Sequence, residues 1–344
     1  MAMIQKKDLH KALQRRLLKS WNKADSLTIA LWPFSILYRG LFFLKKTSYQ
    51  IGLAKSYRAP VPVVVVGNIT VGGTGKTPLV VYLIELLREY GYRPGVISRG
   101  YAGESSSYPV SVDGDTAVAI CGDEPAMIVQ RTNVPMVIGP NRRDDIELLL
   151  QNFDINVVIS DDGLQHFELQ RDIDICLQDA TSQQENTHLL PAGPYREPKS
   201  KLDHFDLLVH HVSAGSLTDK PYSMNLLPQT VKALSSSNTN SFDASNGVHA
   251  VAGIGNPQRF FDTCRQLGWN ISEHAFEDHY AFVASDLEFS DDLPIVMTEK
   301  DAVKCQEFNN NCLWYLPVDV NISKEFSRRF KVLLESIHQP VNKT

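Results

Sequence analysis

Cysteine is scarce and scattered in this chain. Its 344 residues hold five, Cys121, Cys176, Cys264, Cys305 and Cys312, and no two stand in a Cys-x-x-Cys spacing. That pattern argues against a disulfide scaffold and a structural zinc site and favours a reducing compartment. A clean transmembrane run is missing too, because Pro33, Arg39 and Gly40 interrupt the apolar stretch from Leu27 to Leu44. No cleavable signal pattern precedes it. Acids are missing from one region: residues 1 to 60 hold 12 Lys and Arg against 2 acids, Asp8 and Asp25, whereas the remainder holds 22 against 37. The net charge of −5 therefore conceals a basic segment joined to an acidic body. Such a body repels phosphate backbones, which excludes duplex nucleic acid as a partner.

Within the basic segment, Leu9, Leu13, Leu17 and Trp21 recur every fourth residue, opposite Lys6, Lys7, Lys11, Arg15, Arg16 and Lys19. This spacing predicts a basic amphipathic helix. With Trp32, Tyr38 and the Lys45-Lys46 pair, it describes residues 1–46 as a helical segment lying in the interface of an anionic leaflet. Each basic residue near such a surface is worth about 1 kcal/mol. The competing reading is simple packing on the acidic body.

What the chain does have is a buried strand, Val63-Val64-Val65-Val66, running into Gly67-Asn68-Ile69-Thr70-Val71-Gly72-Gly73-Thr74-Gly75-Lys76-Thr77 and then a helical pattern from Pro78 to Glu89. A glycine-rich turn between a buried strand and a helix N-terminus presents backbone N–H groups to an anion. Residues Thr70, Val71, Gly72, Gly73, Thr74 and Gly75 are expected to form the cradle for a nucleoside triphosphate; Lys76 reaches the terminal phosphates and Thr77 offers its hydroxyl to Mg²⁺. Thr70 stands where the usual motif has glycine. The compact Gly-Gly-x-Gly-Lys-Thr form resembles the P-loop class of partitioning and septum-positioning ATPases and of dethiobiotin synthetase, although those ATPases carry a signature lysine where this chain has Val71.

Strands and helices alternate from here on. The fold class expected is α/β: a P-loop-type parallel sheet with helices on both faces and a second, smaller α/β domain. The divisions are a P-loop core over 47–218, a linker and polar loop over 219–247, and a C-terminal domain over 248–344 that closes over the site. In the linker, Tyr222 to Leu227 and Thr230 to Leu234 are expected to pair antiparallel around Pro228-Gln229.

Metal-assisted phosphoryl transfer needs acids beside the phosphates, and Val157 to Ser160 is an apolar strand ending in Asp161-Asp162. Transfer to an alcohol also needs a base. Asp123 and Glu124, after the strand expected to end near Cys121, are candidates, with compensation of a helix dipole as the duller reading. His279 belongs to the second domain and approaches only across the cleft. Arg196 and Glu197 either hold phosphate and metal or pair with each other. Arg142 and Arg143 either grip an anionic acceptor or sit on a solvated helix start.

Taken together, Gly67 to Pro78, Ser98 to Tyr101, Gly122 to Pro125, Asp161 to His166, Leu190 to Gly193 with Arg196-Glu197, Ala252 to Gly255 with Phe260, Asp278 to Tyr280 and Thr298 to Lys304 resemble the tetraacyldisaccharide 4'-kinases, the lipid A 4'-kinases. The resemblance implies transfer of the ATP γ-phosphate to the 4'-hydroxyl of a tetraacylated glucosamine disaccharide 1-phosphate, giving lipid IVA, at the cytoplasmic face of the bacterial inner membrane. It implies Lys76 on the phosphates, Thr77 and Glu197 at Mg²⁺, and Asp123 as base supported by His279. It places Asp161, Asp162 and Arg196 at the reacting phosphates, and Glu124, Arg142, Gln165 and His166 on the acceptor. Asn141 departs from the family, where an acid is common. The anionic membrane surface and the lipid are the implied partners; no obligate protein partner is marked. A membrane-associated switch ATPase and a soluble ligase like dethiobiotin synthetase are the rivals. The first lacks a place for Asp278-His279-Tyr280, and the second leaves the basic segment unexplained.

Overall fold

The computed structural model describes residues 16–18, 20–21, 25–101, 103–180, 185–213, 220–235, 240–308 and 310–338. Most of the predicted amphipathic helix, including Leu9 and Leu13, lies outside them. Leu17 is half-buried, and Trp21 is buried with its indole N–H donating to Pro191 O at 2.9 Å.

Helix α1 (Ser26–Gln50) opens on Asp25, whose carboxylate accepts from the N–H groups of Leu27 and Thr28. It passes through Pro33 without ending, so the expected interruption is a local loss of one backbone bond and not a break. By length and composition it is apolar enough to cross a membrane, with mean hydropathy 1.6 over its most apolar window.

The valine run forms β1 (Val63–Gly67) at the centre of a nine-stranded sheet. The other members are β2 (Pro94–Ser98), β3 (Val110–Val112), β4 (Met136–Ile138), β5 (Val157–Asp161), β6 (Ile173–Asp179), β7 (Leu207–His211), β8 (Ser223–Pro228) and β14 (Val318–Ile322). Their order is β14-β8-β7-β6-β1-β5-β2-β4-β3. Every pairing from β8 to β4 is parallel, and the two edge strands run antiparallel. Four successive valines suit β1 because both faces are covered. Val64 and Val66 pack beneath α2 (Lys76–Glu89), with residues of α4 (Asp123–Thr132) in the same core, while Val63 and Val65 pack on the opposite face with Ile146 and Leu149 of α5 (Arg142–Asn152).

A second sheet contains β9 (Lys232–Ala233), β10 (Val248–Ala252), β11 (Ile271–Ala275), β12 (Ile295–Thr298) and β13 (Leu313–Leu316), in the order β11-β10-β12-β13-β9. Helices α6 (Pro257–Gln266) and α7 (Glu299–Ala302) accompany it.

Three expectations are corrected. The stretch before Cys121 is not a strand but a helical turn, α3 (Val118–Cys121), separated from α4 by Gly122 at φ +86°. β8 and β9 do not pair with each other: β8 pairs with β14 in the first sheet, and β9 with β13 in the second. Gln229 N donates to Pro317 O at 2.9 Å between these pairings, so the two chain crossings form one antiparallel ribbon that bends at its proline positions. Finally, residues 318–338, grouped above with the second domain, return to the first. β14 extends its sheet, and Phe326, Phe330 and Leu334 of α8 (Lys324–His338) are buried in the core with α2.

Candidate active site

The loop after β1 enters α2 through Gly72 at φ +124° and Gly75 at φ +96°, backbone values that side chains disfavour. No side chain caps α2, and the space outside Gly72 and Gly73 is open, so the orphan N–H groups of its first turn face a free anion cradle. Thr74 is buried with its hydroxyl unpartnered. The incoming limb is pinned to a second loop: Val71 N donates to Pro194 O, Arg196 N donates to Ile69 O, and Thr70 bridges to Tyr195. This brings Arg196 and Glu197 to the cradle. Lys76 Nζ lies 3.2 Å from Asn68 Oδ1 and 3.6 Å from Asp162 Oδ1.

β5 pairs with β1 so that Asp161 stands opposite Val66, just before the cradle. Asp161 is buried with Oδ1 unpartnered. Burial, together with the charges of Glu124 and Asp162, pushes its carboxyl up to about 7 against the opposing pull of Lys76 and Arg142. Asp162 behaves oppositely. Burial raises it, but Lys76 and Arg196 outweigh that and hold it below the ordinary range. Arg196 Nη1 donates to both of its oxygens, at 3.1 and 2.9 Å. Gln165 Nε2 donates to Glu197 Oε1 at 2.8 Å, and the fully buried Glu197 also has Lys201 at 3.2 Å.

The second domain supplies the rest. His279, at φ +60°, places Nδ1 2.9 Å from each oxygen of Asp123, the first residue of α4. Burial tends to raise the Asp123 carboxyl, yet the His279 hydrogen bond, Lys300, the His279 charge and Lys304 bring it below the usual range. A Cβ placed on Gly255 would sit 3.3 Å from both Gly73 N and Asp278 Oδ2. That close approach sets the Asp278-His279 turn against the cradle, and Tyr101 covers the other side of the histidine ring at 5.1 Å.

Sequence reasoning thus identified residues that converge here: Lys76, Asp161, Asp162, Gln165, Arg196, Glu197, Asp123, Glu124 and His279. Three others lie differently. Arg142 is fully buried, donating to Gly139 O and Asp145 Oδ2 at 3.0 Å with Nε and Nη2 unbonded, whereas Arg143 is turned to Glu147 and stacked over Tyr57. His166 Nδ1 pairs with Glu168 at 2.8 Å. Sequence reasoning missed Asn68, which receives Lys76, and His211, whose Nδ1 lies 2.7 Å from Thr74 O beneath the cradle. Asn68 carried a signal, its place directly between strand and glycine loop; His211 carried none.

A family model described as tetraacyldisaccharide-1-P 4'-kinase matches residues 27–335. Relatives named tetraacyldisaccharide 4'-kinase include one from Shewanella sediminis, 49% identical over 304 residues that cover 88% of this chain and 89% of the relative. Another, from Azotobacter vinelandii, is 44% identical over 328 residues, covering 94% and 98%. Among solved structures, LpxK from Aquifex aeolicus in complex with ATP superposes with a TM-score of 0.74 at 30% identity, covering 90% of this chain and 99% of that one. Sequence, fold and the convergence of cradle, acids and cross-domain histidine agree: this chain belongs to the tetraacyldisaccharide 4'-kinase family.

Proposed function

We propose that the constellation around Gly72–Thr77 and Asp123 carries out the family's ATP-dependent phosphorylation of a tetraacyldisaccharide 1-phosphate at its 4'-hydroxyl, with Asp123 as the base. The observation that carries this reading is the pair of 2.9 Å contacts from His279 Nδ1 to Asp123, made between domains beside the cradle. The backbone of residues 70–75 cradles the phosphates, and Lys76, pre-aimed by Asn68 and Asp162, follows the transferred group. Thr77 and Glu197 would hold Mg²⁺, a hard cation that favours oxygen ligands. Their chemistry fits: a threonine hydroxyl at the helix start and a buried carboxylate on the pinned loop. When bound, Mg²⁺ neutralises charge developing on the phosphate oxygens. Arg196, locked on Asp162, supplies a second fixed positive charge near the reacting group.

Asp123 receives the proton as the hydroxyl oxygen bonds to the γ-phosphorus and the bond from that phosphorus to the β,γ-bridging oxygen breaks, releasing ADP. A carboxylate of low basicity suffices, because the phosphoryl transition state is loose and asks chiefly for positioning. His279 orients that carboxylate by donating from Nδ1, and domain closure excludes water that would otherwise take the phosphate. Asp123→Asn should lower turnover about 10²–10⁴-fold with ATP affinity nearly unchanged. Labelled γ-phosphate transfer to the lipid measures this, and near wild-type transfer would remove Asp123 as base.

The exposed apolar side chains of α1, among them Ile29, Trp32, Phe34, Leu37, Leu41 and Leu44, support a place for this helix in the interface of the anionic cytoplasmic leaflet of the inner membrane.

A further inference from the structure

Lys300 has no part in the scheme above, yet it stands among three carboxylates in the cleft. It sits on α7 and reaches out of the second domain to α4. Its Nζ donates to Glu124 Oε1 at 2.9 Å and stands 3.9 Å from Asp123 Oδ2, 3.4 Å from Asp278 Oδ1 and 3.5 Å from His279 Nε2. The side chain is largely buried. Lys304 lies as near to Asp123, also at 3.9 Å, but is tied within its own domain to Asp301 at 2.6 Å and over the Phe282 ring at 5.0 Å. The groups facing Asp123 are therefore Glu124 on its own helix, Asp278 and His279 on the turn, and Lys300, Asp301 and Lys304 on and after α7. The neighbouring Cys121 thiol is pushed up to about 11 by burial and stays neutral.

Two lysines against four carboxylates leave this corner negative. Without Lys300, Glu124 and Asp123 would be adjacent anions at the start of one helix, and a carboxylate beside a like charge takes up a proton more readily. Lys300 also cannot double as a phosphate clamp, since three carboxylates already surround its ammonium. Its neighbour Glu299 pairs with Arg131 at the far end of α4, so α7 grips that helix at both ends.

We propose that Lys300 is a positioning residue for the transfer step: arriving with the second domain, it balances Glu124, fixes the Asp278-His279 turn and keeps Asp123 unprotonated and aimed at the acceptor hydroxyl. This rests on Asp123 being the base. The base is then complete only in the closed arrangement, because its cation, like its histidine, comes from the other domain.

The test compares full-length wild type with Lys300→Met, Lys300→Arg, Lys300→Met/Glu124→Gln and Asp123→Asn, following transfer from ATP to the lipid acceptor along the acid limb of the kcat/KM profile. Lys300→Met should lower kcat, leave KM for ATP within about threefold, and move the acid midpoint upward by about one pH unit, the direction expected when a cation near a carboxylate is lost. Lys300→Arg should restore most of kcat. Removing the Glu124 charge as well should bring the midpoint back towards wild type. A slow Lys300→Met enzyme with an unmoved midpoint, or one impaired in ATP affinity alone, overturns the proposal. If Asp123→Asn is inactive while that happens, only the role of Lys300 fails. If Asp123→Asn transfers phosphate normally, the base reading itself fails.

Discussion

Glu197 shows how much one side chain can be asked to do. It is fully buried, receives Gln165 at 2.8 Å and has Lys201 at 3.2 Å, an arrangement that holds a carboxylate ready without neutralising it outright. Glu197→Gln keeps the shape and the Gln165 contact but removes the charge. The Mg²⁺ concentration for half-maximal transfer should rise about tenfold or more, measured by titrating rate against Mg²⁺; an unchanged requirement would remove Glu197 from the metal. Residues of this kind were legible in the sequence where they lay in short motifs: Lys76-Thr77, Asp161-Asp162 and Arg196-Glu197 each announce themselves by neighbours. The contact of Asp123 with His279 spans 156 residues; no local pattern encodes it, and only the family resemblance implied it. The partnership of Lys300 with Glu124, 176 residues apart, was hidden because neither a local pattern nor the resemblance pointed to it.

At the scale of elements, periodicity exposed those that bury a face and concealed those whose partner is distant. β1, α2 and β5 were readable because a continuous valine run and a helical repeat each state their own environment. β14 and α8 read as the end of a second domain because nothing local says which sheet a strand will join. Their burial gives the measure of that return. Phe330 is fully enclosed in the first core, so Phe330→Ala should cost about 3–5 kcal/mol, read by chemical denaturation. A cost near zero would mean that α8 does not hold the P-loop core together. Helix α1 has the opposite character, with Phe34, Leu37, Leu41 and Phe43 facing outward. Leu37→Asp with Leu41→Asp should abolish most binding to anionic vesicles while leaving the denaturation midpoint unchanged, because neither side chain packs in the core. Retained vesicle binding would refute the interfacial role of α1.

For the whole molecule, the antiparallel ribbon at Pro228–Gln229 and Pro317 joins the two sheets and is the connection the proposed closure would turn about. Cross-domain contacts hold the closed arrangement: Arg259 to Asp179 at 2.8 Å, Arg131 to Glu299 at 2.7 Å, and the backbone of Gly255 against Gly73. The last is tight, since a Cβ on Gly255 would stand 3.3 Å from Gly73 N and from Asp278 Oδ2. Gly255→Val should hold the domains apart and reduce transfer at least about tenfold, a loss of roughly 1.4 kcal/mol of transition-state stabilisation, with little change in melting temperature. Activity and thermal unfolding measured together test this, and undiminished transfer would show that closure does not need that contact.

The seat of α1 on the body carries a consequence for the acceptor. Ser35 Oγ donates to Leu189 O and accepts from Ala192 N, and Tyr38 OH donates to Arg196 O. The helix proposed to rest in the leaflet is thus bolted to the very loop that ends in Arg196 and Glu197. The height of the phosphate cradle above the lipid is then a constant of the molecule, like the stand-off of a tool on a fixed bracket. On that proposal, an acceptor is selected by how far its sugar rises from its acyl chains, and the domain proposed to close is the one remote from the bracket.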